Sequence, residues 1–204
     1  MLRSEHILKG LGNQYYRATY KSMGFTTEDL KRPLIGIANA WSECVPGHYN
    51  LRQVAQRVKD GIYRAGGTPI EFGAIGGCDG MGQGHDGMHF IMPSRELIAN
   101  SIESMAQINL FDGLVLLGSC DKIVPGMLMA AARLDIPCIF LPGGPMEGGV
   151  EFDGRQADQT SATEAYGMLS AGKITEAEYV ALEDTACPGC GSCSYLGTAN
   201  TMCA

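Results

Sequence analysis

The sequence lacks any cluster or stripe of lysine and arginine, and its 15 basic residues against 22 acidic residues give a net charge of −7. Nucleic acid is therefore not an expected partner, because its phosphates are bound by patches of positive charge. The sequence also lacks an apolar run of about 18 residues, the length that a membrane-spanning helix needs. A negatively charged protein that binds a small acid needs a local positive centre, which a metal ion would supply.

The N-terminal segment has neither the apolar stretch nor the small-residue cleavage site of a secretory signal. A cytoplasmic protein is therefore expected, in which the eight cysteines are thiols or metal ligands rather than disulfides. Internal repeats and low-complexity linkers are missing as well. With 45% apolar and 18% charged residues over 204 positions, the composition is typical of a globular protein with a sizeable core.

Short apolar runs alternate with segments of helical periodicity after about residue 33. The runs lie at residues 33–38, 70–75, 113–118 and 137–141. Their length and the flanking glycines and prolines predict buried strands. Apolar spacing predicts helices over about 51–62, from Ser94 as N-cap, and from about Pro125. This rhythm predicts an α/β domain over residues 34–204 after a helical segment at 1–33, with three α/β/α layers and a mainly parallel sheet.

Unusual residues follow each predicted strand. Ligands of open parallel α/β sheets bind beyond the carboxyl ends of the strands, so the four loops are expected to converge on one site. The loops contain Cys44, the pair Cys78 and Asp79, the triplet Cys120, Asp121 and Lys122, and the glycines Gly143 and Gly144. Residues 155–184 are polar and helical in pattern, without a clear strand.

The strongest local signal is a cysteine-rich loop, in which three cysteines form two C-x-x-C steps within residues 187–193. Soft thiolates at this spacing favour an iron–sulfur cluster. Zinc and simple loop thiols are the alternatives, although no second C-x-x-C or histidine pair stands nearby to complete a zinc site. A ferredoxin-type cluster would need a fourth cysteine closer than Cys203. Cys44 and Cys120, at strand ends, are therefore candidates for the missing ligands.

Adjacent hard and soft ligands form a second signal. Asp121 offers oxygen ligands suited to magnesium, and it directly follows Cys120, whose sulfur suits iron. Asp79 repeats the pattern, because it also follows a cysteine at the end of a predicted strand. These pairs favour two different metals side by side. In isolation they are equally compatible with an Asp-Gly turn and with a helix-start aspartate paired with Lys122.

The other histidines, cysteines and methionines carry weaker signals. His85 and His89 are four residues apart, but neighbouring glycines argue against a helix, so a loop or a substrate contact is expected. Cys138 lies within a predicted strand and is expected in the core. Met88 and Met92 are also expected to pack in the core.

These motifs resemble the family of dihydroxy-acid and 6-phosphogluconate dehydratases. The resemblance rests on Gly-Cys-Asp-Gly at 77–80, Gly-His-Asp-Gly-Met at 84–88, Pro-Ser-Arg-Glu-Leu-Ile-Ala at 93–99 and Cys-Asp-Lys-Ile-Val-Pro-Gly at 120–126. It also rests on Gly-Gly-Pro-Met at 143–146, the cysteine-rich loop, and Thr-Ala-Asn-Thr-Met at 198–202. It covers nearly the whole chain.

The resemblance implies an iron–sulfur cluster and a magnesium ion. Cys44, Cys120 and Cys193 match cluster ligands of the family, and the presence of Cys44 favours a 2Fe–2S over a 4Fe–4S cluster. Whether the two other cysteines of the cysteine-rich loop take part stays open.

Asp79, Asp121 and Lys122 match the magnesium ligands of the family. Lys122 matches a lysine that carries carbon dioxide as a carbamate, which would turn a cation beside the metal into an anionic ligand. The carbamate does not follow from the residues alone.

The implied activity is that of a hydro-lyase, which converts a 2,3-dihydroxy acid to a 2-keto acid, as in branched-chain amino-acid biosynthesis. Departures such as Gly-Gln-Gly-His at 82–85 keep a sugar acid or 6-phosphogluconate as the alternative substrate. An electron-transfer protein and a zinc-binding module are the alternative classes. The family further implies a homodimer, and a second domain that provides the base and another magnesium ligand, so the 204 residues alone are expected to be inactive.

Overall fold

Four parallel strands form the central sheet of the protein, for which a computed structural model describes residues 1–194 and 197–202. The strands are β1 (Leu34–Asn39), β2 (Thr68–Gly73), β3 (Gly113–Gly118) and β4 (Cys138–Pro142). They lie in the order β2-β1-β3-β4, and every neighbouring pair is parallel. All four predicted strands are confirmed, although β2 begins two residues earlier than the sequence pattern indicated.

Two short helices precede the sheet, α1 (Glu5–Leu8) and α2 (Gln14–Ser22), with single 3-10 turns at Leu11–Asn13 and Asp29–Lys31. Both helices and the second 3-10 turn each send one side chain inward. Leu8, Tyr20 and Leu30 are buried in the same core as the first residue of β1. The first 33 residues thus contain two helices and two 3-10 turns, and they pack directly on the α/β unit.

The connections between strands place helices on both faces of the sheet. These helices are α3 (Leu51–Arg64), α4 (Asp79–Gly82), α5 (Met88–Ile91), α6 (Ser94–Asn109) and α7 (Ile123–Leu134). The chain passes from β1 to β2 and then back across β1 to β3, so right-handed connections put α3 on one face and α6 and α7 on the other. The predicted three-layer α/β/α architecture is confirmed.

The start of α6 differs slightly from its prediction. Ser94 is the first residue of the helix rather than its N-cap, and Pro93 precedes it. The Ser94 hydroxyl donates to the carbonyl of Ile91 at 2.6 Å, so it satisfies the preceding turn instead of the helix N-terminus. Proline is well suited to a helix start because its φ is already helical.

The core lies between β1, β3 and the helices, and β3 is buried at all six positions. Phe111 and Phe72 stack there, with ring centroids 5.8 Å apart and planes 12° from parallel. Gly36 in β1 leaves space for Phe111 because it has no side chain. A Cβ atom at Gly36 would lie 2.5 Å from Cδ2 of Phe111 and 2.7 Å from Cδ2 of Leu114.

We expect Gly36→Ala to lower the free energy of unfolding by about 1–3 kcal/mol, because the added methyl group overpacks the core. Urea denaturation of the protein measures this change. Gly73→Ala, at the end of the neighbouring strand β2, is the control. A Cβ atom at Gly73 has no neighbour within 4 Å, and a change within about 0.5 kcal/mol is expected there. Equal effects of the two substitutions would contradict this packing argument.

β4 lies at one edge of the sheet, and the exposure of its residues corrects a prediction. Cys138 is exposed, and Ile139 beside it is 62% exposed. The expectation that Cys138 lies in the core is wrong, because the described part of the chain places no strand on the outer side of β4. Met88 and Met92 are also exposed rather than buried, since the single turn of α5 buries only Ile91.

A small second unit of structure follows β4. It consists of the hairpin strands β5 (Glu151–Phe152) and β6 (Arg155–Gln156), with α8 (Gln159–Ser170), α9 (Glu176–Thr185) and, later, α10 (Thr198–Thr201). Asp158 and Thr175 cap the starts of α8 and α9 through reciprocal capping boxes. The helices agree with the predicted pattern. The hairpin was not predicted, because two-residue strands are too short to show alternation.

A helix must be long and apolar to span a membrane. The 16-residue α6 is shorter than the roughly 20 residues that cross a bilayer. No helix within residues 1–194 and 197–202 combines the length and the hydrophobicity of a membrane span.

Candidate functional site

Loops at the carboxyl ends of the strands converge on one pocket, as expected. It lies at the point where the strand order reverses, between β1 and β3, which is where parallel α/β sheets bind ligands. Each strand is followed by a loop that contributes. The lining includes Pro46 and Gly47 after β1, Cys78, Asp79 and Gly80 after β2, Cys120 and Asp121 after β3, Met146 after β4, and Gly191, Cys193 and Thr198 from the cysteine-rich loop and α10.

The cysteine-rich loop is fixed to the sheet edge by backbone hydrogen bonds. The N–H of Gly191 donates to the carbonyl of Pro46 at 3.0 Å, and the N–H of Ser192 donates to Gly144 at 3.0 Å. The N–H of Met146 in turn donates to Ser192 at 2.7 Å. The loop thus binds the segments after β1 and after β4 at once, and this fixes the direction of its last cysteine.

Asn200 in α10 holds the same loop from the other side. Its amide nitrogen donates to the carbonyl of Cys193 at 2.7 Å, and its amide oxygen accepts from the Ser192 hydroxyl at 2.8 Å. Ser192 itself is buried. The Thr-Ala-Asn motif that follows the cysteines in sequence therefore has a structural role, which is to position Cys193.

A buried histidine supports the loop after β3. Ring Nε2 of His48 lies 3.1 Å from the backbone nitrogen of Ser119 and 3.0 Å from its carbonyl oxygen. Burial lowers the pKa of His48, so the imidazole is neutral here. The Ser119 hydroxyl accepts from the N–H of Gly143 at 3.0 Å. The next residue, Cys120, has a φ of 69°, an uncommon backbone conformation for a residue with a side chain, of the kind found at functional sites.

Three thiols meet in the pocket: Cys78, Cys120 and Cys193. The thiols of Cys78 and Cys120 hydrogen-bond to each other. This contact lowers the pKa of Cys78 against the opposing effect of burial, and the backbone N–H groups of Met81 and Gly80 lower it further. The pKa of Cys120 is raised by its hydrogen bond to Cys78, by burial, and by the charges of Cys78 and Cys193. Cys78 is therefore the first of the pair to become a thiolate.

Two carboxylates lie beside these thiols and share one cation. Nζ of Lys122 is 2.7 Å from Oδ2 of Asp79 and also hydrogen-bonds to Asp121, which accepts a further hydrogen bond from the Thr198 hydroxyl. Burial opposes the charge on Lys122, but its bonds to Asp121 and Asp79 outweigh burial and raise its pKa. The bonds from Lys122 and Thr198 lower the pKa of Asp121. The second oxygen of Asp79, Oδ1, is buried without a hydrogen-bond partner.

The donor set fits the two metals that the sequence suggested. Within the described ranges, no three His, Cys, Asp or Glu side chains are spaced to hold one metal ion, and Lys122 bridges the two carboxylates. Soft sulfur donors nevertheless occupy one part of the pocket and hard oxygen donors the adjacent part. The unpartnered oxygen of Asp79 and the two carboxylates around one cation are donors of the kind that suit magnesium.

Five of the six predicted site residues come together here: Cys120, Cys193, Asp79, Asp121 and Lys122. Cys44 does not, because it is exposed and its backbone N–H donates to the Ser42 hydroxyl at 2.9 Å. Its role as a ligand stays a prediction. Cys78 was not among the predicted ligands, although the Cys-Asp pair at 78–79 repeats the pair at 120–121. None of the seven cysteines in the described ranges forms a disulfide, and Cys203 lies outside these ranges.

The fold and the pocket define an α/β domain with a pocket at the carboxyl ends of its parallel strands. Residues 32–204 match the sequence profile of the N-terminal region of dihydroxy-acid and 6-phosphogluconate dehydratases. The chain therefore belongs to this dehydratase family, and the resemblance seen in the motifs is confirmed.

Relatives agree with this assignment. The chain is 54% identical over 201 residues to the dihydroxy-acid dehydratases of Pyrococcus abyssi and Caldicellulosiruptor saccharolyticus, which covers 98% of the chain and 36% of each relative. It is 52% identical to the dihydroxy-acid dehydratase of Clostridium pasteurianum, covering 70% of that relative. The chain thus spans about a third of the length of the first two proteins.

Proposed function

We propose that the complete protein is an iron–sulfur hydro-lyase that converts a 2,3-dihydroxy acid to a 2-keto acid. The observation that carries this proposal is the grouping of three thiols with two aspartates in one pocket at the sheet edge. The names of the relatives support the reaction type. The reaction removes the hydrogen on C2 and the hydroxyl on C3 as water, and the enol that remains becomes the keto acid.

Asp79, Asp121 and Lys122 hold magnesium in this proposal. As an ammonium, Lys122 neutralises the two carboxylates, but a divalent cation in the same place would repel it. Loss of its proton allows the amine to add carbon dioxide, with release of a second proton, and the carbamate that forms is an anionic ligand. Thr198 keeps Asp121 oriented in both states, because its hydroxyl donates to the other carboxylate oxygen.

The thiols hold the cluster beside the magnesium ligands. When bound, the cluster supplies an iron that accepts the leaving hydroxyl, and magnesium supplies positive charge to the carboxylate and the 2-hydroxyl. The chain holds the ligands of the cluster and of magnesium in fixed positions. Hydrogen bonds from Asn200 and Gly191 hold the cysteine-rich loop. The contact between His48 and Ser119 does the same for the loop after β3.

A branched dihydroxy acid without phosphate is the proposed substrate. A phosphate group is usually bound by arginine, lysine or several backbone N–H groups. Among the described residues that line the pocket there is no arginine, lysine or histidine, and Lys122 nearby is already paired with Asp79 and Asp121. This favours a dihydroxy acid over 6-phosphogluconate.

The test begins with metal analysis of the complete protein purified under nitrogen. We expect iron and acid-labile sulfide, and magnesium-dependent formation of 2-keto acid from 2,3-dihydroxyisovalerate. We also expect a kcat/KM for 6-phosphogluconate at least about a hundredfold lower, since an unpaired phosphate in the site costs roughly 3 kcal/mol. Zinc without iron would contradict the proposal, and so would a cluster that undergoes reversible one-electron reduction but supports no dehydration.

A further inference from the structure

We propose that Cys78, rather than Cys44, is the third thiolate that holds the cluster with Cys120 and Cys193. The inference rests on the proposed function, because it identifies a ligand of the same site. The three cysteines come from three different loops, after β2, after β3 and in the cysteine-rich loop, and all three line one pocket. Cys44 is exposed and is not part of that lining.

Cys78 contacts one of the other two thiols directly, and the third lies near that partner. Cys78 hydrogen-bonds to Cys120, and Cys120 is close enough to Cys193 for their charges to interact. A cluster takes the place of such thiol contacts, because each sulfur then bonds to iron instead of sharing a proton.

The backbone around Cys78 suits a metal-bound thiolate. The N–H groups of Gly80 and Met81 donate to its sulfur. Hydrogen bonds of this kind stabilise the negative charge of cluster thiolates and tune the cluster. Of the two cysteines compared, only Cys78 combines these donors with a position beside the other thiols.

Glycine backbone packs against two of the thiols. A Cβ atom at Gly47 would lie 3.1 Å from the sulfur of Cys120, and a Cβ atom at Gly80 would lie 3.6 Å from the sulfur of Cys78. The sulfur atoms therefore face backbone rather than packed side chains at these positions.

The other two cysteines of the cysteine-rich loop are turned away. Cys187 and Cys190 are exposed and lie outside the pocket lining. The bond from Gly191 to Pro46 reverses the loop just before Cys193, so that only the last cysteine reaches the pocket. The described residues therefore offer no competing third thiol in contact with Cys120.

The first experiment compares serine variants in the complete protein, purified under nitrogen. Cys78→Ser should lower iron and sulfide per chain about tenfold or more, the range expected for loss of a group that controls metal affinity, and should change the electron paramagnetic resonance spectrum of the reduced protein. Cys44→Ser and the edge-strand control Cys138→Ser should both keep the wild-type iron content and spectrum. Far-UV circular dichroism checks that each variant folds.

The second experiment uses the wild-type protein, so it is independent of variant folding. Iodoacetamide followed by mass spectrometry should label Cys44 in both cluster-loaded and iron-chelated protein, and label Cys78 only after chelation. If Cys78→Ser keeps full iron while Cys44→Ser loses it, or if Cys78 is labelled in the loaded protein, the inference is overturned and the proposed function survives. A wild-type protein without iron would overturn both.

Discussion

Replacing Asp121 by asparagine is expected to lower the rate of dehydration about a thousandfold while the cluster stays in place. Asparagine keeps the size of the side chain, and its oxygen can still accept the hydrogen bond from Thr198. It removes the charge that binds Lys122 and, in the proposed function, magnesium. A metal that stabilises developing charge contributes several kcal/mol, and about 4 kcal/mol corresponds to a thousandfold change in rate.

The measurement is kcat for keto-acid formation as a function of magnesium concentration, with iron content and visible spectrum recorded for the same sample. Asp135→Asn is a matched control. Asp121 lies before the start of α7, whereas Asp135 follows its end with a φ of 49°, a conformation that asparagine adopts readily. We expect wild-type activity from the control. If Asp121→Asn loses the cluster but keeps the magnesium dependence, the arrangement of two adjacent metals is wrong.

The sheet was predictable because its strands carry a strong local pattern. β3 is apolar along its whole length and is buried at every position, and the strands end in loops whose unusual residues are obvious in the sequence. Parallel strands bring such loops to one edge regardless of the details of packing. For this reason the convergence of Asp79 and Cys120 followed from the strand assignments, whereas Cys193 was placed by the family resemblance.

The choice between Cys44 and Cys78 did not follow from the strand assignments. Both cysteines come shortly after a strand, so the sequence pattern does not separate them. The difference lies in the path of the loop after β1, where the 3-10 turn Pro46–His48 brings Gly47 to the pocket and leaves Cys44 outside. The path depends on tertiary contacts, such as the bond from the Gly191 N–H to Pro46, which connects residues far apart in sequence.

The exposure of Cys138 had a similar cause. An apolar sequence predicts a buried strand, but the burial of that strand depends on its place in the sheet. Because β4 follows β3 at the edge, one side of it is not covered by another strand in the described ranges. Strand order is a property of the whole fold, and the local sequence of β4 does not contain it.

Gly191→Ala is expected to destroy cluster binding, although the substitution adds one methyl group and changes no ligand. A Cβ atom at Gly191 would lie 2.6 Å from Cα of Met146 and 2.6 Å from the carbonyl carbon of Pro145. These are backbone atoms, so no side-chain rotation relieves the clash. The cysteine-rich loop must move away from the segment after β4, and Cys193 moves with it.

The movement also breaks the hydrogen bonds that fix the loop, from Gly191 to Pro46 and from Ser192 to Gly144. Each is worth about 0.5–1.5 kcal/mol, and the clash adds about 1–3 kcal/mol. The free energy of unfolding should therefore fall by about 2–6 kcal/mol. Iron per chain should fall about tenfold or more, because a displaced ligand costs at least as much affinity as a lost supporting contact.

Gly189→Ala in the same loop separates the clash from a general effect of losing a glycine. A Cβ atom at Gly189 meets no heavy atom within 4 Å, so this variant should keep its iron and its stability to within about 0.5 kcal/mol. Iron and sulfide analysis with urea denaturation of both variants provides the comparison. A Gly191→Ala protein with full iron would mean that Cys193 does not depend on the contact with Met146, and that the loop holds its ligand by its own conformation.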